Sequence, residues 1–596
     1  MRNSKGTRDG EIIRKLYRSS VTSIIISAVA AMFGVIIDGI VISRFLGTES
    51  MAAYGIVSPL FSVITAISGV LAAGSQVYCA KHLGAGKVDR ARQVFSSCMV
   101  VTVAISLILS IILFVFCDPL CVGLGAEGQT AALLPLTKEY LYGISPGILP
   151  VLLLFIFNSL MRLDGDPNRV VIAVIAMTAC DIVGDLLNAL VIHGGMLGMG
   201  ISTAISYWVA LVIMLMHFRK KDIIFRFSMK NLQLSDLSGI LKTGAPTAVG
   251  SGSAMLRVFI QNHIMAFIAG STAVAALSVR NTLNNLFGSI LIGVGMTTAM
   301  IAGMVYGEED RSSAKHLLSV SLRFAVGIGI LLAVISFAGA PMLVSLFASG
   351  KQDSVNMSLL AVRAMRIYAI GLPFYGINMV FTDYLQGINR LKLANFVSLF
   401  DNLVYVCTLS LVLSPFIKTD AVWLSYPIGE VLVIITVILA AFREKRTMPK
   451  KMDDMLFLSD DFGAKKSDIF ETSLATIEET IEAVHNIASF MQERDASPKE
   501  ARLVPLFVEE MAGNVIEHGF TKDQKKHSVD VRVLKKNSHW IIRIRDNCIL
   551  FDPLQRATVF DPNDPAANIG IRMVVGMADD IQYINAMQLN NLIIRI

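Results

Sequence analysis

Long apolar segments occupy most of the chain as far as Lys445 and strongly restrict its possible folds. Crossing the apolar core of a bilayer takes roughly 20 helical residues. Only 16% of all residues are charged, against ~25% in an average soluble protein. We therefore predict a polytopic all-α membrane protein with twelve spans, at about 21–45, 53–78, 95–116, 139–161, 169–193, 199–217, 242–268, 274–304, 318–347, 364–386, 394–416 and 421–442.

Clusters of Lys and Arg fall in alternate loops between these spans and at both ends of the membrane part. Because such residues concentrate on the cytoplasmic side, both termini are expected in the cytoplasm, with the protein in the plasma (cytoplasmic) membrane. The predicted divisions are a cytoplasmic flank (1–20), an N-terminal six-helix lobe (21–218), an inter-lobe loop (219–241), a C-terminal six-helix lobe (242–442), a basic juxtamembrane linker (443–465) and a soluble domain (466–596).

The two sets of six spans resemble copies of one another when the second is aligned on the first at a constant offset. Gly47 then matches Gly270, and Gly84 matches Gly307. At a slightly smaller offset Asp181 matches Asp401. Several matches in order, each at the same place relative to a span, indicate duplication. Six spans per copy give both lobes the same orientation, with a cavity between them near the midplane.

Acidic side chains inside two spans of the first copy are the candidate ion site. Asp38 lies in the first apolar run, where a charge costs at least ~2.5–3.5 kcal/mol. Asp181, Asp185 and Asn188 are spaced i, i+4 and i+7, hence on one face of the fifth span. The alternatives are an interfacial Asp38 and a polar stripe that only joins helices. Since Asp38 aligns with Gln261 in the second copy, an ion site is expected in the N-terminal lobe only.

The first span with its following loop, DGIVISRFLGTESMAAYGIVSPL, and the segment AKHLGAGKVDRARQVF resemble the MATE (multidrug and toxic compound extrusion) family, as does the region around Tyr368–Arg390. The resemblance covers about residues 10–445. It implies secondary active export of organic, often cationic, compounds in exchange for H⁺ or Na⁺. It also implies that Asp38 is the coupling carboxylate and that Asp181 and Asp185 match the fifth-span polar pair. Whether Asp185 or Asn188 is the partner stays open.

The segment after about residue 466 has the pattern of a soluble α/β domain, with two amphipathic helices and several alternating strands. Its most informative stretch is LVPLFVEEMAGNVIEHGF. Glu510 and Asn514 are one helical turn apart, so both project from the same side. An amide oxygen can ligate Mg²⁺ while a carboxylate acts as a base.

This helix is followed by RIRDNCILFDP and by NIGIRMVVGMADDIQYINAMQLNNLIIRI. The order resembles the GHKL (histidine-kinase-like) ATPase fold, an α/β sandwich, and in particular the anti-sigma-factor serine kinases. The resemblance implies ATP and Mg²⁺ as cofactors. Glu510 would be the catalytic base, Asn514 the Mg²⁺ ligand, Asp546 the acceptor of the adenine amino group and Gly570 a phosphate contact. Cys548 and Asn568 stand where the family has glycines. The alternative is a pseudo-enzyme that binds a partner protein.

Taken together, these features favour an antiporter for small organic substrates that carries a cytoplasmic ATP-binding-like regulatory domain. A membrane-anchored signalling protein with serine-kinase or anti-sigma-like activity is the alternative, and a lipid-linked oligosaccharide flippase is a lesser one. The expected contacts are the membrane lipid and a regulatory protein, and no nucleic acid. An ATP-driven pump is disfavoured because the sequence contains no G-x-x-x-x-G-K-[ST] phosphate loop.

Overall fold

A computed structural model provides the structure of the chain. The residues it describes are 11–124, 126, 132–220, 222–229, 232–233, 235–345, 352–520, 527–536, 539–558 and 568–596.

The N-terminal lobe consists of six membrane-spanning helical segments. Helices α5 and α6 join through a short 3₁₀ turn into one span, and a π-helical turn extends α7. The lobe contains α1 (Glu11–Val41), α2 (Thr48–Gly84), α3 (Val88–Val115), α4 (Cys117–Gly123), α5 (Leu134–Ile144), α6 (Ile148–Leu163), α7 (Pro167–Leu187) and α8 (Gly195–Leu215).

The C-terminal lobe repeats this plan with one continuous segment of 72 residues. At a rise of 1.5 Å per residue it would extend about 108 Å as a straight helix, far more than a bilayer. Gly270 breaks it with φ 69° and ψ −160°, so it makes two crossings. The lobe contains α9 (Asp236–Gly307), α10 (Arg311–Ser345), α11 (Gln352–Gly387), α12 (Leu391–Leu399), α13 (Tyr405–Ile417) and α14 (Thr419–Lys445).

Among the described residues eleven helical segments are long and apolar enough to span a membrane, and the broken α9 accounts for two of the twelve predicted crossings. Large apolar side chains such as Ile108, Phe114 and Phe416 point outward, as expected for a lipid-facing surface. The predicted twelve-span, two-lobe fold class is confirmed.

Residues 11–20, predicted as a cytoplasmic flank, form the first three turns of α1. Ile12, Ile13 and Tyr17 are buried there. The Tyr17 hydroxyl donates to the Val294 carbonyl at 3.0 Å. This segment therefore ties the start of the N-terminal lobe to α9 of the other lobe.

The two lobes meet most closely where the end of α2 crosses the end of α9. A β-carbon on Gly84 would overlap the carbonyl oxygen of Met304, and one on Gly307 would overlap that of Lys81. Glycine is therefore required on both sides of the crossing, because only it lets the two backbones approach this closely. The two glycines are repeat counterparts, so the duplication builds a near-symmetric closure at this end of the bundle.

The C-terminal domain is a five-stranded antiparallel sheet with helices on one face. The strand order is β1-β2-β3-β5-β4. Alternate strand residues such as Val531, Ile542 and Ile594 form a core with α15 and α16. The elements are β1 (Ile469–Leu474), α15 (Ile477–Gln492), α16 (Glu500–Asn514), β2 (Val529–Lys536), β3 (His539–Asp546), α17 (Pro553–Thr558), α18 (Ile569–Met577), β4 (Asp580–Ala586) and β5 (Leu589–Arg595).

The linker between the two parts is fixed against the membrane bundle, although its composition predicts only a charged connector. Leu456, Phe457 and Leu458 are buried against the C-terminal lobe. Tyr384 donates its hydroxyl to the Leu456 carbonyl at 3.1 Å, and Arg390 donates to the Phe457 carbonyl at 2.8 Å. The C-terminal domain is thereby held at the end of the bundle where α2 and α9 close, which we call the docked end.

Candidate functional sites

Three carboxyl groups meet inside the N-terminal lobe, as the sequence predicts for two spans packed side by side. Asp38 comes from α1, and Asp181 and Asp185 come from α7, which packs against α1. Oxygens of the three groups all lie within 4.8 Å of one another. Asp185 is fully buried, and the other two are 8% exposed.

The carboxylate cluster has more acceptors than donors. Asp38 Oδ1, Asp181 Oδ1 and both oxygens of Asp185 are buried without a hydrogen-bond partner among the described residues. Hydroxyl groups of α8 lie beside the cluster, with Ser202 near Asp185. Buried anionic oxygens without donors require a proton or a cation to balance them. The donor set, all oxygen, fits H⁺ or a hard cation such as Na⁺.

Asn188 is used differently from the other residues of the predicted stripe. Its side-chain amide donates to the Gly195 carbonyl at 3.0 Å and accepts from the Gly194 amide at 3.1 Å. Both ends of the amide therefore hold the turn between α7 and α8. The geometry brings Asp185, rather than Asn188, to Asp38.

Buried acids also occur in the C-terminal lobe, where the alignment of Asp38 with Gln261 predicts no ion site. Asp401 and Glu430 are 3% and 2% exposed. Asp401 is the repeat counterpart of Asp181, a match visible in the sequence, but Glu430 on α14 has no acidic counterpart at the offset that relates the two copies. Both lobes therefore contain buried acids, which the alignment of Asp38 with Gln261 does not reveal. The expectation of an ion site in the N-terminal lobe only stays a prediction.

π-helical turns mark the acid-bearing helices. They occupy Ile42–Leu46 after α1, Asn188–Ile192 after α7, Phe400–Val404 around Asp401 and Val515–Gly519 after Asn514. Such turns are rare and often occur at functional sites because they redirect side chains and backbone groups. They could not be predicted from the sequence, since no residue type specifies them.

Glu510 and Asn514 lie one turn apart on α16 of the C-terminal domain, as their spacing predicts. Asn514 donates its side-chain amide to the Glu510 carbonyl at 2.6 Å. The Glu510 carboxyl lies directly against Gly570, where any β-carbon would overlap it. Gly570 is in the first turn of α18, so the carboxyl faces a helix N-terminus, a position that suits an anion.

Asp546 ends β3 and is 4% exposed. Its Oδ1 accepts from the Cys548 backbone amide at 2.9 Å and from the Asn590 side chain at 2.8 Å. Burial raises the pKa of Asp546, while these two donors lower it. Asn590, which the sequence analysis did not identify, also accepts from the Tyr583 hydroxyl at 2.6 Å. Its position opposite Asp546 in the β3–β5 register is the feature that would have revealed it.

The open face of the sheet docks on the membrane bundle through opposite charges. Arg532, Lys536, Arg543 and Arg545 alternate with the apolar core residues of β2 and β3. They meet the loop between α9 and α10. Its ion pairs are Glu308 with Arg543 and Arg545, Glu309 with Lys536, and Asp310 with Arg532.

Burial sets the electrostatics of this contact. The Glu308 side chain is 1% exposed. Burial alone would raise the pKa of Asp310, but the charge of Arg532 holds it below the ordinary value of 3.8. The sequence contains the signal for this contact: GEEDR has three acids in a row where its repeat counterpart, GAGKVDR, has Ala, Gly and Lys. The bases that face this loop are Arg543 and Arg545, two positions apart on β3, and Arg532 and Lys536, on the same face of β2.

The same domain also contacts the N-terminal lobe. The Met587 amide donates to the Leu163 carbonyl at 2.9 Å, and Gln588 donates to the Gly165 carbonyl at 3.3 Å. Gln582 lies directly against Gly86 in the loop after α2. The C-terminal domain therefore bridges loops of both lobes at the docked end.

Comparison with known proteins identifies the family of the membrane part. The MatE family model matches residues 23–187 and again residues 246–410. The chain belongs to the MATE family. The second match has the same length as the first and repeats it at one constant offset, which confirms the internal duplication. A second family model, the histidine kinase-like ATPase domain, matches residues 474–596. The chain is thus a MATE protein with an appended ATPase-like domain.

Curated relatives resemble the MATE part over most of their length. The Multidrug export protein MepA of Staphylococcus haemolyticus is 22% identical over 423 residues, covering 70% of this chain and 90% of that protein. MepA of Staphylococcus aureus (strain MSSA476) is 23% identical over 419 residues, with 68% and 89% covered.

Solved structures share the fold of the MATE part. A MATE structure in complex with MaL6 has a TM-score of 0.67 at 22% identity, covering 73% of this chain and 97% of that one. A MOP superfamily transporter from Pyrococcus furiosus, described as having a binding pocket of reversed polarity, has a TM-score of 0.68 at 21% identity, with 74% and 97% covered.

Proposed function

We propose that this MATE protein is a secondary antiporter that exports small organic, often cationic, compounds in exchange for H⁺ or Na⁺ at the Asp38–Asp181–Asp185 cluster. The observation that carries the proposal is the surplus of buried carboxyl oxygens in the N-terminal lobe. The multidrug export relatives support the substrate class.

The physical basis of coupling is charge neutralisation in a desolvated site. Three carboxylates within 4.8 Å cannot all remain ionised and unpaired, so a proton or cation enters. Its binding favours one arrangement of α1 against α7, and its release favours another. An organic cation that needs the same negative charge competes with the ion, which links efflux to ion entry.

The docked end is proposed to face the cytoplasm. The basic segments, among them 81–92 and 311–323, lie at the helix ends of this side. Positive residues concentrate on the cytoplasmic side of membrane proteins. The C-terminal domain would then have access to cytoplasmic nucleotide.

We propose that the C-terminal domain binds ATP and Mg²⁺ as a regulatory module. Asp546 would accept the adenine amino group, Asn514 would ligate Mg²⁺, and the first turn of α18 at Gly570 would hold phosphate. The Glu510 carboxyl lies directly against Gly570, so it would have to move aside for phosphate to bind at the first turn of α18. Bound ATP would supply a phosphoryl group, and Glu510 would accept a proton from the attacking hydroxyl.

Regulation would act through the bridge between the lobes. Opening the docked end requires α2 and α9 to separate at Gly84 and Gly307, and the domain holds loops on both sides of that crossing. A nucleotide or a regulatory protein that alters the sheet contact would therefore change how readily this end opens.

Gradient-driven efflux of a cationic dye from liposomes containing the full chain tests the transport proposal. Asp38→Asn is expected to lose gradient-dependent efflux. Asp118→Asn is the matched control, because Asp118 is an exposed acid of the same lobe paired with Lys138. Unchanged coupled efflux in Asp38→Asn would refute the site.

A membrane-anchored serine kinase is the second candidate function. It is favoured by Glu510 and Asn514, which share one helix side next to Gly570. Phosphotransfer from radiolabelled ATP to a candidate partner protein by the full chain, lost in Glu510→Gln, would support it. Absence of transport together with that activity would replace the antiporter proposal.

A further inference from the structure

A second buried polar cluster lies in the C-terminal lobe, outside the site described above. Asp401 comes from the π-helical turn between α12 and α13, Glu430 from α14 and Asn378 from α11. Asn378 is fully buried, and the two acids are 3% and 2% exposed.

One amide group joins the two acids. Asn378 Nδ2 lies 2.7 Å from Glu430 Oε2 and 3.5 Å from Asp401 Oδ1, and it also donates to the Glu430 carbonyl at 3.0 Å. The two carboxyl groups themselves lie within hydrogen-bonding reach of one another. Two carboxyls at this separation in a buried site form a favourable contact only when one of them carries a proton.

An unpartnered acceptor points to the same shortage of protons. Asn378 Oδ1 is buried and has no hydrogen-bond partner among the described residues. The side-chain donors to the two carboxyl groups are the amides of Asn378 and of Asn402, whose Nδ2 lies 3.5 Å from Asp401 Oδ2. The cluster therefore holds four carboxylate oxygens with two amide donors, and one amide oxygen without a partner. Leaving a buried acceptor unsatisfied is unfavourable, because it has lost its hydrogen bonds to water.

The neighbouring groups do not supply a fixed counter-ion. Arg257 on α9 is close enough for its charge to act on both acids. It forms no salt bridge with either acid in the part of the chain that the structure describes. Tyr368 and Tyr375 on α11 and Tyr426 on α14 also surround the pair. A second buried cation, Arg280 on α9, lies 5.9 Å from the ring centres of Tyr368 and Tyr426 and forms no salt bridge with the pair among the described residues. The charge of the pair is thus left to a mobile species.

We infer that Asp401 and Glu430 form a proton-binding site of the C-terminal lobe, in which the two carboxyls share one proton beside the Asn378 amide. A proton fits better than a metal ion, because the Asn378 N–H group faces both carboxyls where a cation would need acceptors alone. Proton binding stands on this geometry, whereas a role in transport rests on the proposed antiport.

Infrared pH-difference spectroscopy of the full chain in lipid tests the inference by following the protonated carboxyl band. Glu430→Gln should remove one component of that band. Asp401→Asn removes a like charge, so the remaining carboxyl should lose its proton about one pH unit or more lower. Asn378→Leu removes a donor to the carboxylate, so the midpoint should move to higher pH.

Opposite shifts in these two variants are the expected result, and a merely structural role would not produce them. Glu444→Gln is the control, because Glu444 is partly exposed and paired with Arg390. No band lost in Glu430→Gln, or equal midpoints in Asp401→Asn and Asn378→Leu, would overturn the inference. Displacement of the proton by Na⁺ at constant pH would also overturn it. The titration does not involve Asp38, so failure of the antiport proposal would be seen separately in dye efflux.

Discussion

At the scale of single residues, the sequence predicts buried acids well and their partners poorly. Helical spacing places Asp181 and Asp185 on one face, and their meeting with Asp38 follows from two adjacent spans. The same spacing groups Asn188 with them, but a π-helical turn begins at Asn188 and its amide serves the turn. Spacing indicates a face of a helix, but it does not show that the regular helix ends here and that the amide binds the backbone of the following turn.

The pair Asp185→Asn and Asn188→Ala separates the two candidate partners of Asp38. Asp185→Asn should abolish ion-coupled efflux, because it removes a charge from the cluster. Asn188→Ala should keep coupling and lower stability by about 1–3 kcal/mol, because buried backbone groups lose a partner. Dye efflux and thermal unfolding of both purified proteins check this. Loss of coupling in Asn188→Ala at unchanged stability would reverse the assignment.

At the scale of elements, the spans were predictable because apolar runs of bilayer length have few other uses. The sequence predicted a break at Gly270, because Gly270 matches Gly47, which follows the first span. The structure gives both glycines a positive φ. The acidic loop 308–310 and the basic face of β2 and β3 were each visible in the sequence. Nothing in the sequence indicates that they meet, because the contact joins segments that are far apart along the chain.

Gly84→Ala and Gly307→Ala test the closure of the lobes at the docked end. Each added methyl group would overlap a backbone carbonyl of the opposing helix, so helices α2 and α9 must move apart. We expect a loss of about 1–3 kcal/mol in stability for each, the usual cost of overpacking. Thermal unfolding in detergent measures it. Gly327→Ala is the control, because no atom of the described residues lies within 4 Å of its added β-carbon.

Glu308→Gln tests the charged contact of the sheet. It leaves Arg543 and Arg545 facing a neutral partner in a buried place, which we expect to weaken docking by about 3–5 kcal/mol. Faster proteolysis of the linker at 446–465 reports undocking. Glu444→Gln should change the rate little, since more exposed pairs contribute about 0–1 kcal/mol. Equal rates in the two variants would contradict the contact.

At the scale of the whole molecule, the ion site and the docked domain lie at different depths of the same bundle. Tyr17 and Asp38 lie near opposite ends of α1, about 32 Å apart along the helix at 1.5 Å per residue. Communication between them would have to pass through the relative motion of the lobes. The composition predicted the two parts of the chain, but only the three-dimensional contacts show that the second part bridges both lobes.

The pH dependence of docking should differ from that of transport. The pKa of Asp310 is lowered in the docked state, so its contribution is fully present above its ordinary value of 3.8 and is lost only as the pH falls towards the lowered value. The Asp310–Arg532 pair should therefore cause no change in the rate of linker proteolysis with pH between about pH 5 and 8. If docking of the unmodified chain weakened within that pH range while docking of Asp310→Asn did not, the lowered pKa assigned to Asp310 would be contradicted.

The most direct measurement of the central claim is substrate efflux from liposomes that contain the purified full chain, with an imposed inward H⁺ or Na⁺ gradient and no nucleotide. We predict efflux against the substrate gradient, with ion entry in a fixed ratio to substrate exit, and loss of both in Asp38→Asn. Efflux that needs ATP and proceeds without either gradient would contradict the claim.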